Sequence, residues 1–539
     1  MKLISPLARR LCILLFSALW LAAASCSPAL RTIDNELSIP ANTEVTMRPE
    51  FRTEPLETTK TPPGPMRITI QEALLLSLEN NRSLVVERLN PSIVKTFEDE
   101  ERAVFDPVTG AAVSAGRDKA QRLTGSGTDT ESFTRDTVDG FINLEQFFPT
   151  GTTVAVEGSS TGTDVSYNRE RFYMTRFGMT ITQAILRGYG SEVNLAALRQ
   201  AALDTRLSEY ELRGFTESLV AQLERTYWDY ALARRQIEIF EESLNLVRQQ
   251  LSETKELIAV GRLAEAELPA VQAEVAGQEQ GLINARSNFE SARLRLLRLL
   301  NPPGTGLWKR EIFLIHQPTL PEIILEDIEL YVAVAMRMRP VLNEARLGVL
   351  RDDLELVKTK NGLLPIMDLF ITLGKSGYAD SFGASFSDLN EDSYDALAGV
   401  RFEYPLRNRE AKALHQRALL SREQAQNALD NLSQLVEVDV RTAYIEVNRA
   451  KQQIDASAAT RKFNEEKLRI ETEKLRVGKS TSFLVAQAQR DLLVSRITEV
   501  QTIANYLQAL VDLYQADGSL LERRGISAPG REPVKLSKN

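Results

Sequence analysis

The chain has 539 residues, 43% of them hydrophobic and 26% charged, with a formal net charge of −8. No basic surplus exists to neutralise phosphates, which argues against a nucleic-acid binder. The only histidines are His316 and His415 and the only cysteines Cys12 and Cys26, so no zinc centre, cofactor cage or histidine-based triad is expected. At roughly 150 residues per domain the length suggests three or four globular units, a division that the internal repetition of the chain contradicts.

Lys2, Arg9 and Arg10 precede an uninterrupted apolar stretch from Leu11 to Ser25. A basic start followed by an apolar run too short to span a bilayer predicts a signal peptide over residues 1–25. Ala23-Ala24-Ser25 before Cys26 resembles a bacterial lipobox, although Ala23 stands where leucine is usual. The resemblance implies cleavage before Cys26 and lipidation of that residue, which would hold the N-terminus at a membrane. Residues 26–66, rich in Pro, Thr and Glu without periodicity, are expected to form the lipid-anchored tether.

Two segments then repeat at fixed offsets. Asn81-Arg82-Ser83-Leu84 leads to Phe105-Asp106-Pro107, and 258 residues later Arg339-Pro340-Val341-Leu342 leads to Leu363-Leu364-Pro365. Tyr227 and Tyr444, Val260-Gly261 and Val477-Gly478, and Gln272 and Gln489 all stand 217 residues apart. A constant offset without a gap marks two homologous arms. The expected organisation is a first repeat over 67–304, a connector over 305–330, a second repeat over 331–520 and a tail over 521–539. Each repeat reads as a helix, a strand-rich middle and two long helices.

Residues 71–105 carry Leu74, Leu75, Leu78, Leu84 and Val85 at helical spacing and stop before Pro107. Residues 191–260 contain no proline and are rich in helix formers, predicting a rod of about 105 Å. Gly261 interrupts it at a position suited to a left-handed cap, and a second helix resumes near Ala264 with Pro269 near its start. The second copy repeats the plan over 409–477, Gly478 and 480–516. Helices of this length must pair as hairpins or coiled coils.

The middles alternate with period two. Ala398, Val400, Phe402 and Tyr404 alternate with Gly399, Arg401 and Glu403; Leu369, Ile371 and Leu373 with Asp368, Thr372 and Gly374, Phe370 breaking the polar row. Phe177, Met179 and Ile181 alternate with Gly178, Thr180 and Thr182. One apolar and one polar face suits a strand between two media, and Arg401 and Glu403 are expected on a wet lumen. The polar stretch 374–394 reads as an exposed loop. From the proline to the matching leucine (Leu186 or Leu406) the first copy has about 38 residues more than the second. They include Phe147-Phe148-Pro149-Thr150-Gly151-Thr152, a candidate extra hairpin that either enlarges a barrel or sits outside it.

The duplicated plan resembles the TolC-type outer-membrane efflux protein family over residues 68–520. The motifs that carry it are Glu72-Ala73-Leu74 through Leu78-Glu79-Asn80-Asn81, the Tyr227 and Tyr444 helices, the two Val-Gly turns, and Leu186-Arg187-Gly188 followed by Asn194 and Leu198-Arg199-Gln200-Ala201. Arg82 stands where the family usually has proline, which Pro340 keeps in the second copy. The resemblance implies an α+β fold: long coiled-coil hairpins plus transmembrane β-barrel strands, in a homotrimer whose protomers each give four strands to a shared twelve-stranded barrel above a periplasmic tunnel. It implies a non-enzymatic exit duct of a tripartite efflux pump or type I secretion system in the outer membrane. Its partners would be outer-membrane lipid, an inner-membrane transporter and a periplasmic adaptor (membrane fusion protein). The adaptor would dock at the helix tips Val260, Gly261, Arg262 and Leu263 and Val477, Gly478, Lys479 and Ser480. Family channels constrict at the tip through acidic rings, and the matching positions here are Glu267, Leu484 and Gln487. The implied constriction is a neutral ring of Leu484 and Gln487, with Glu267 tying neighbouring helices through Lys479 or Arg476. The competing reading is a lipid-anchored periplasmic coiled-coil scaffold without a pore, for which alternation in both copies has no use.

Overall fold

The computed structural model describes residues 65–123, 127, 129–166, 171–303, 307–315 and 324–535. Cys12, Cys26, His316, the expected signal peptide and the tether as far as residue 64 lie outside the described residues. The chain divides into two compact units that cut across both repeats. Among the described residues, one joins Val104–Asn194 to Pro365–Glu403; the other joins Leu195–Leu364 to residues 65–103 and 404–535.

The second unit is helical. It holds α1 (Ile70–Asn80), α2 (Arg82–Glu87), α3 (Asn90–Ala103), α4 (Ala196–Ala259), α5 (Leu268–Leu300), α6 (Ile328–Met338), α7 (Pro340–Gly362), α8 (Arg409–Arg476) and α9 (Ser482–Ala516). The 64 residues of α4 and 68 of α8 make rods of about 96 and 102 Å. The two rods are buried to different degrees: α4 is covered on several faces, with Leu219-Val220-Ala221 and Tyr230-Ala231-Leu232-Ala233 buried in succession, whereas α8 buries one stripe. In α8 the buried residues Val447, Ala450, Ile454 and Ser457 fall three and four apart, the seam spacing of a coiled coil. Tyr227 and Tyr230 of α4, Leu296, Leu297 and Leu300 of α5, Val436 and Val440 of α8, and Tyr506 and Leu513 of α9 close the core.

The stretch 71–105, expected as one helix, is three. Asn81 leaves the helical region at ψ 118°, and its Oδ1 accepts hydrogen bonds from the amides of Ser83 (3.0 Å) and Leu84 (3.2 Å). A side chain that caps a new helix ends the old one. The connector and tail cling to the long helices where they are described. Tyr230 donates its hydroxyl to the carbonyl of Ile312 at 2.7 Å. Arg524 binds the fully buried Glu224 carboxylate through two hydrogen bonds of 2.5 and 2.7 Å.

The first unit is one antiparallel sheet of six strands in chain order: β1 (Val108–Leu123), β2 (Thr130–Phe148), β3 (Thr152–Val165), β4 (Phe172–Ala184), β5 (Ile366–Ala379) and β6 (Tyr394–Glu403). The first repeat supplies four strands and the second two, so the extra residues of the first copy are strand. β5 runs to Ala379, which shortens the loop expected over 374–394: Gly374 and Ser376 pair with Gly178 and Arg176 of β4. Gly151, at φ +84°, turns β2 into β3; a Cβ there would stand 2.2 Å from the carbonyl oxygen of Gly188, so only glycine fits.

A buried ionic cluster ties the tail of the chain to α4. Arg213, 1% exposed, pairs with Glu522 and lies 3.9 Å from Glu217. Burial pushes the Glu217 carboxyl up to about 8; Arg213 and Arg339 oppose that shift, while Glu522 and Asp517 add to it. Burial likewise pushes Asp517 up to about 6, against the hydrogen bonds it accepts at Ser519. A carboxyl raised in the folded state holds its proton more tightly there than in the unfolded chain. Its stabilisation is therefore complete below the ordinary glutamate range and is lost as pH rises towards 8. Thermal unfolding of the wild type should fall between pH 5 and 8, and Glu217→Gln should flatten that fall. Parallel curves for the two proteins would show that Glu217 does not titrate in this window.

Candidate functional site

Two features carry chemistry, one in each unit. In the sheet, successive side chains point to opposite faces, and the register assigns every residue to one of them. Val113 pairs across to Gly140; Ile142, Gly158, Phe177, Lys375 and Tyr394 follow on one rung of the same face. Towards the β2–β3 turn this face carries Ala111, Leu144, Val154, Val156, Met179, Ile181, Ile371, Leu373, Ala398 and Val400. It is largely apolar, interrupted by Thr109, Gln146, Thr152, Gln183 and Lys375, and Val113 is 82% exposed. Phe148 and Phe402 lie at one end of the band and Tyr173 and Tyr394 at the other. An apolar band between aromatic girdles is the pattern of a lipid-facing sheet. Beyond it Arg117 and Asp136 form an exposed ion pair at 2.5 Å.

The opposite face is mainly polar, although the large apolar residues Phe141, Phe370 and Leu397 also lie on it. It bears Asp139, Asn143 and Glu145 on β2, Glu157 on β3, Arg176 and Thr180 on β4, Asp368 and Thr372 on β5, and Asp395, Arg401 and Glu403 on β6. Arg401 and Glu403, both exposed, pair with each other at 3.1 Å. Arg176 reaches across β5 to Asp395 through bonds of 3.2 and 2.7 Å. The strand between them allows this because it is glycine there. A Cβ on Gly374 would stand 2.5 Å from Asp395 and 2.8 Å from Arg176. Phe370, which breaks the polar row, lies over Gly399, where a Cβ would meet its ring at 2.6 Å. An aromatic ring covering a strand glycine explains the exception.

Sequence reasoning missed the short helix Phe382–Asp388 between β5 and β6. It packs on the apolar side of the sheet beyond the band: Ser385 hydrogen-bonds Thr175 at 2.7 Å, and a Cβ at Gly377 would meet the Ser385 carbonyl. Phe382 and Phe386, one turn apart, are left exposed. Two phenylalanines in a polar loop were the available signal.

The second feature is the pair of turns that join the long helices. After α4, the amide of Gly261 bonds the carbonyl of Ile258 and that of Arg262 bonds Leu257 at 2.8 Å; after α8, Gly478 bonds Leu475 and Lys479 bonds Lys474 at 2.8 Å. Gly261 has φ +70° and Gly478 φ +71°. Both turns are Schellman motifs closed by a left-handed glycine. Val260 and Val477 cap the two helices with exposed side chains, and Arg262, Lys479 and Ser480 lie beside them.

The helices that follow begin differently. α5 starts through a 3₁₀ turn at Glu265–Glu267 with Pro269 in its first turn. α9 is capped by Thr481, whose Oγ1 accepts from the amide of Leu484 at 3.4 Å. Glu267 does join the two copies, but not through the expected lysine or arginine. Its Oε2 accepts a 2.8 Å hydrogen bond from the backbone amide of Ser482, the first residue of α9, while Arg476 pairs with Glu473. A carboxylate at a helix N-terminus meets both a free N–H and the positive end of the dipole, a better partner than a mobile exposed cation. Leu484 and Gln487 are exposed on α9, next to Phe483 and Arg490 and turned away from the buried Val485, Ala486, Ala488 and Gln489. His415 bonds Thr359 at 3.1 Å within the helical unit. No helix among the described residues is long and apolar enough to cross a membrane.

The sequence model of the outer membrane efflux protein family matches residues 145–302 and 338–519. The chain is 21% identical over 369 residues to the proteases secretion protein PrtF of Dickeya chrysanthemi, covering 65% of this chain and 78% of that one. Among solved structures it resembles the outer-membrane channel OprN, with a TM-score of 0.62 and 16% identity over 84% of this chain and 90% of that one. VceC of Vibrio cholerae, an outer membrane protein, superimposes with a TM-score of 0.61 and 15% identity, covering 83% and 96% of the two chains.

The Glu267–Ser482 bond has a local readout. Glu267→Ala removes the acceptor at the start of α9, worth about 1 kcal/mol for a lost cap, so amide exchange over residues 482–485 should quicken about five-fold. Unchanged exchange would show that Thr481 alone holds this helix start.

Proposed function

The chain belongs to the outer membrane efflux protein family, transport channels of the outer membrane rather than enzymes, and from that premise we propose how its two units conduct cargo. Three copies assemble into one duct. The six-stranded sheet crosses the outer membrane, its apolar face against lipid and its polar face, with Arg401 and Glu403, lining the lumen. The long helix pairs form the periplasmic tunnel. Lipidated Cys26 anchors each N-terminus beside it. A periplasmic adaptor docks on the two Val-Gly turns, where Val260 and Val477 offer exposed apolar contacts beside Arg262 and Lys479. An inner-membrane transporter supplies the energy, as in a tripartite efflux pump or a type I secretion system.

The observation that carries this reading is the largely apolar face that extends over all six strands and is backed by a mainly polar one. A water-facing sheet has no use for it, and a coiled-coil scaffold has none either. Heat-modifiable trimers in the outer-membrane fraction are the expected result for the full-length protein. Monomers in the soluble periplasm would sink the duct and favour the scaffold.

At the tip, Leu484 and Gln487 form a neutral constriction, kept in place by the bond between Glu267 and the start of α9. Exposed ion pairs contribute only about 0–1 kcal/mol each, so apolar packing and amide hydrogen bonds set the closed state. Millimolar divalent cations should leave the current through the purified channel in planar bilayers unchanged. Strong block that Gln487→Ala abolishes would overturn the neutral ring.

A further inference from the structure

The sheet carries more strands than the family plan needs. We propose that each chain gives all six strands to the shared wall, so that three copies close an eighteen-stranded barrel in which β6 of one chain pairs with β1 of the next. The inference rests on the trimeric duct proposed above and goes beyond it in strand number, closing edge and bore.

Four observations carry it. First, the β1–β2 hairpin is continuous with the rest of the sheet: β2 pairs with β3 from Arg135 to Phe148, and β1 with β2 from Val108 to Leu123. Second, the shortest strand is β6 with 10 residues and the longest β2 with 19, and about 9–11 residues suffice for a tilted strand to cross a bilayer. Third, the apolar band continues onto the hairpin through Val138, Ile142 and Leu144 of β2 and Ala111, Val113 and Ala115 of β1. The other face of β2 bears Asp139, Asn143 and Glu145 around a single Phe141. A hairpin hanging outside a smaller barrel would put those three groups into lipid.

Fourth, the edges match. Neighbouring strands alternate in direction through the series, so β1 and β6, first and last of six, run in opposite senses. Opposite edges let copies join by antiparallel pairing all the way round, and closure removes the unpaired edge groups that hydrocarbon cannot satisfy. Excluding the hairpin would instead require β3 to give up its pairing with β2. Strands spaced about 4.8 Å and tilted about 40° give a backbone radius of about 18 Å for eighteen strands, against about 12 Å for twelve. The wider wall leaves an aqueous bore of porin class and admits bulkier cargo, such as a polypeptide with folded elements.

Cysteine pairs decide between the two arrangements in the full-length protein in its membrane, since residues 27–539 contain no cysteine. Positions 111, 113 and 115 of β1 are combined with 396, 398 and 400 of β6, all on the apolar face, as in Val113→Cys with Ala398→Cys. A second set pairs β6 with β3 through Val154→Cys and Val156→Cys. Oxidation should link chains into covalent dimers and trimers in the β1–β6 set alone, with the heat-modifiable trimer as the control for folding. Links in the β3–β6 set, or trimers linked in neither set, would overturn the eighteen-stranded wall and leave the duct standing. Loss of the trimer from the wild type itself would overturn the duct and this inference together.

Discussion

Backbone amides and carbonyls inside a bilayer must find partners in the protein, because lipid offers none. The six-stranded sheet meets that constraint rung by rung, and much of its side-chain chemistry follows from it. Once the backbone is paired, alternate residues are free to face different media, which is why Met179 and Ile181 stand back to back with Thr180 and Thr182. Where a long polar side chain must cross a neighbouring strand, that strand gives up its own side chain. Gly374 lies beneath the Arg176–Asp395 pair for this reason. Within the chain the sheet ends on two edges, β1 and β6, which pair with no further strand.

The helical unit answers a different constraint. Rods of 64 and 68 residues cannot surround a single core: α8 buries one seam and leaves Leu435, Val438, Ile445 and Phe463 exposed, while α4 is covered on several faces by its neighbours. Such seams resist sliding poorly, because one small side chain after another repeats along them. Specific polar ties supply register: Ser457 with Thr502 between α8 and α9, and Arg225 on Asp512 between α4 and α9, while Arg524 on Glu224 and Arg213 on Glu522 hold the tail to α4. Buried charges are costly unless matched. The carboxyl left with the poorest match, Glu217, is the one whose proton affinity rises most clearly.

The long helices, the two Val-Gly turns and strands β4 to β6 were legible in the sequence, because each has a strong period or a strong punctuation mark. Strands β1 and β2 were not, beyond a candidate hairpin around Gly151. Their apolar positions are mostly Ala and Val on β1, and their outer halves carry Arg117, Asp118, Lys119, Arg135 and Asp136, so period two fades after a few residues. Alternation becomes visible only when the register sets Val113 beside Gly140 and Ile142. Of the expected site residues, Arg401 and Glu403 fall on the polar face and Leu484 and Gln487 on an exposed face of α9. The partner of Glu267 was out of reach, since spacing reveals side chains and its partner is a backbone amide.

The duplication preserves geometry more strictly than chemistry. At the first helix break, copy two uses Pro340, whose ring sets the first helical residue and needs no amide partner. Copy one has Arg82 there and recovers the same break through Asn81, which caps the new helix with its side chain. At the tips the two Schellman turns agree within one degree in the glycine φ, yet one following helix begins with a 3₁₀ turn and Pro269 and the other with a Thr481 cap. Glu267 then lends its carboxylate to the helix start of the other copy. The second-copy counterpart of Glu267, 217 residues on, is Leu484, whose side chain has no acceptor to return the bond, so the tie between copies runs one way.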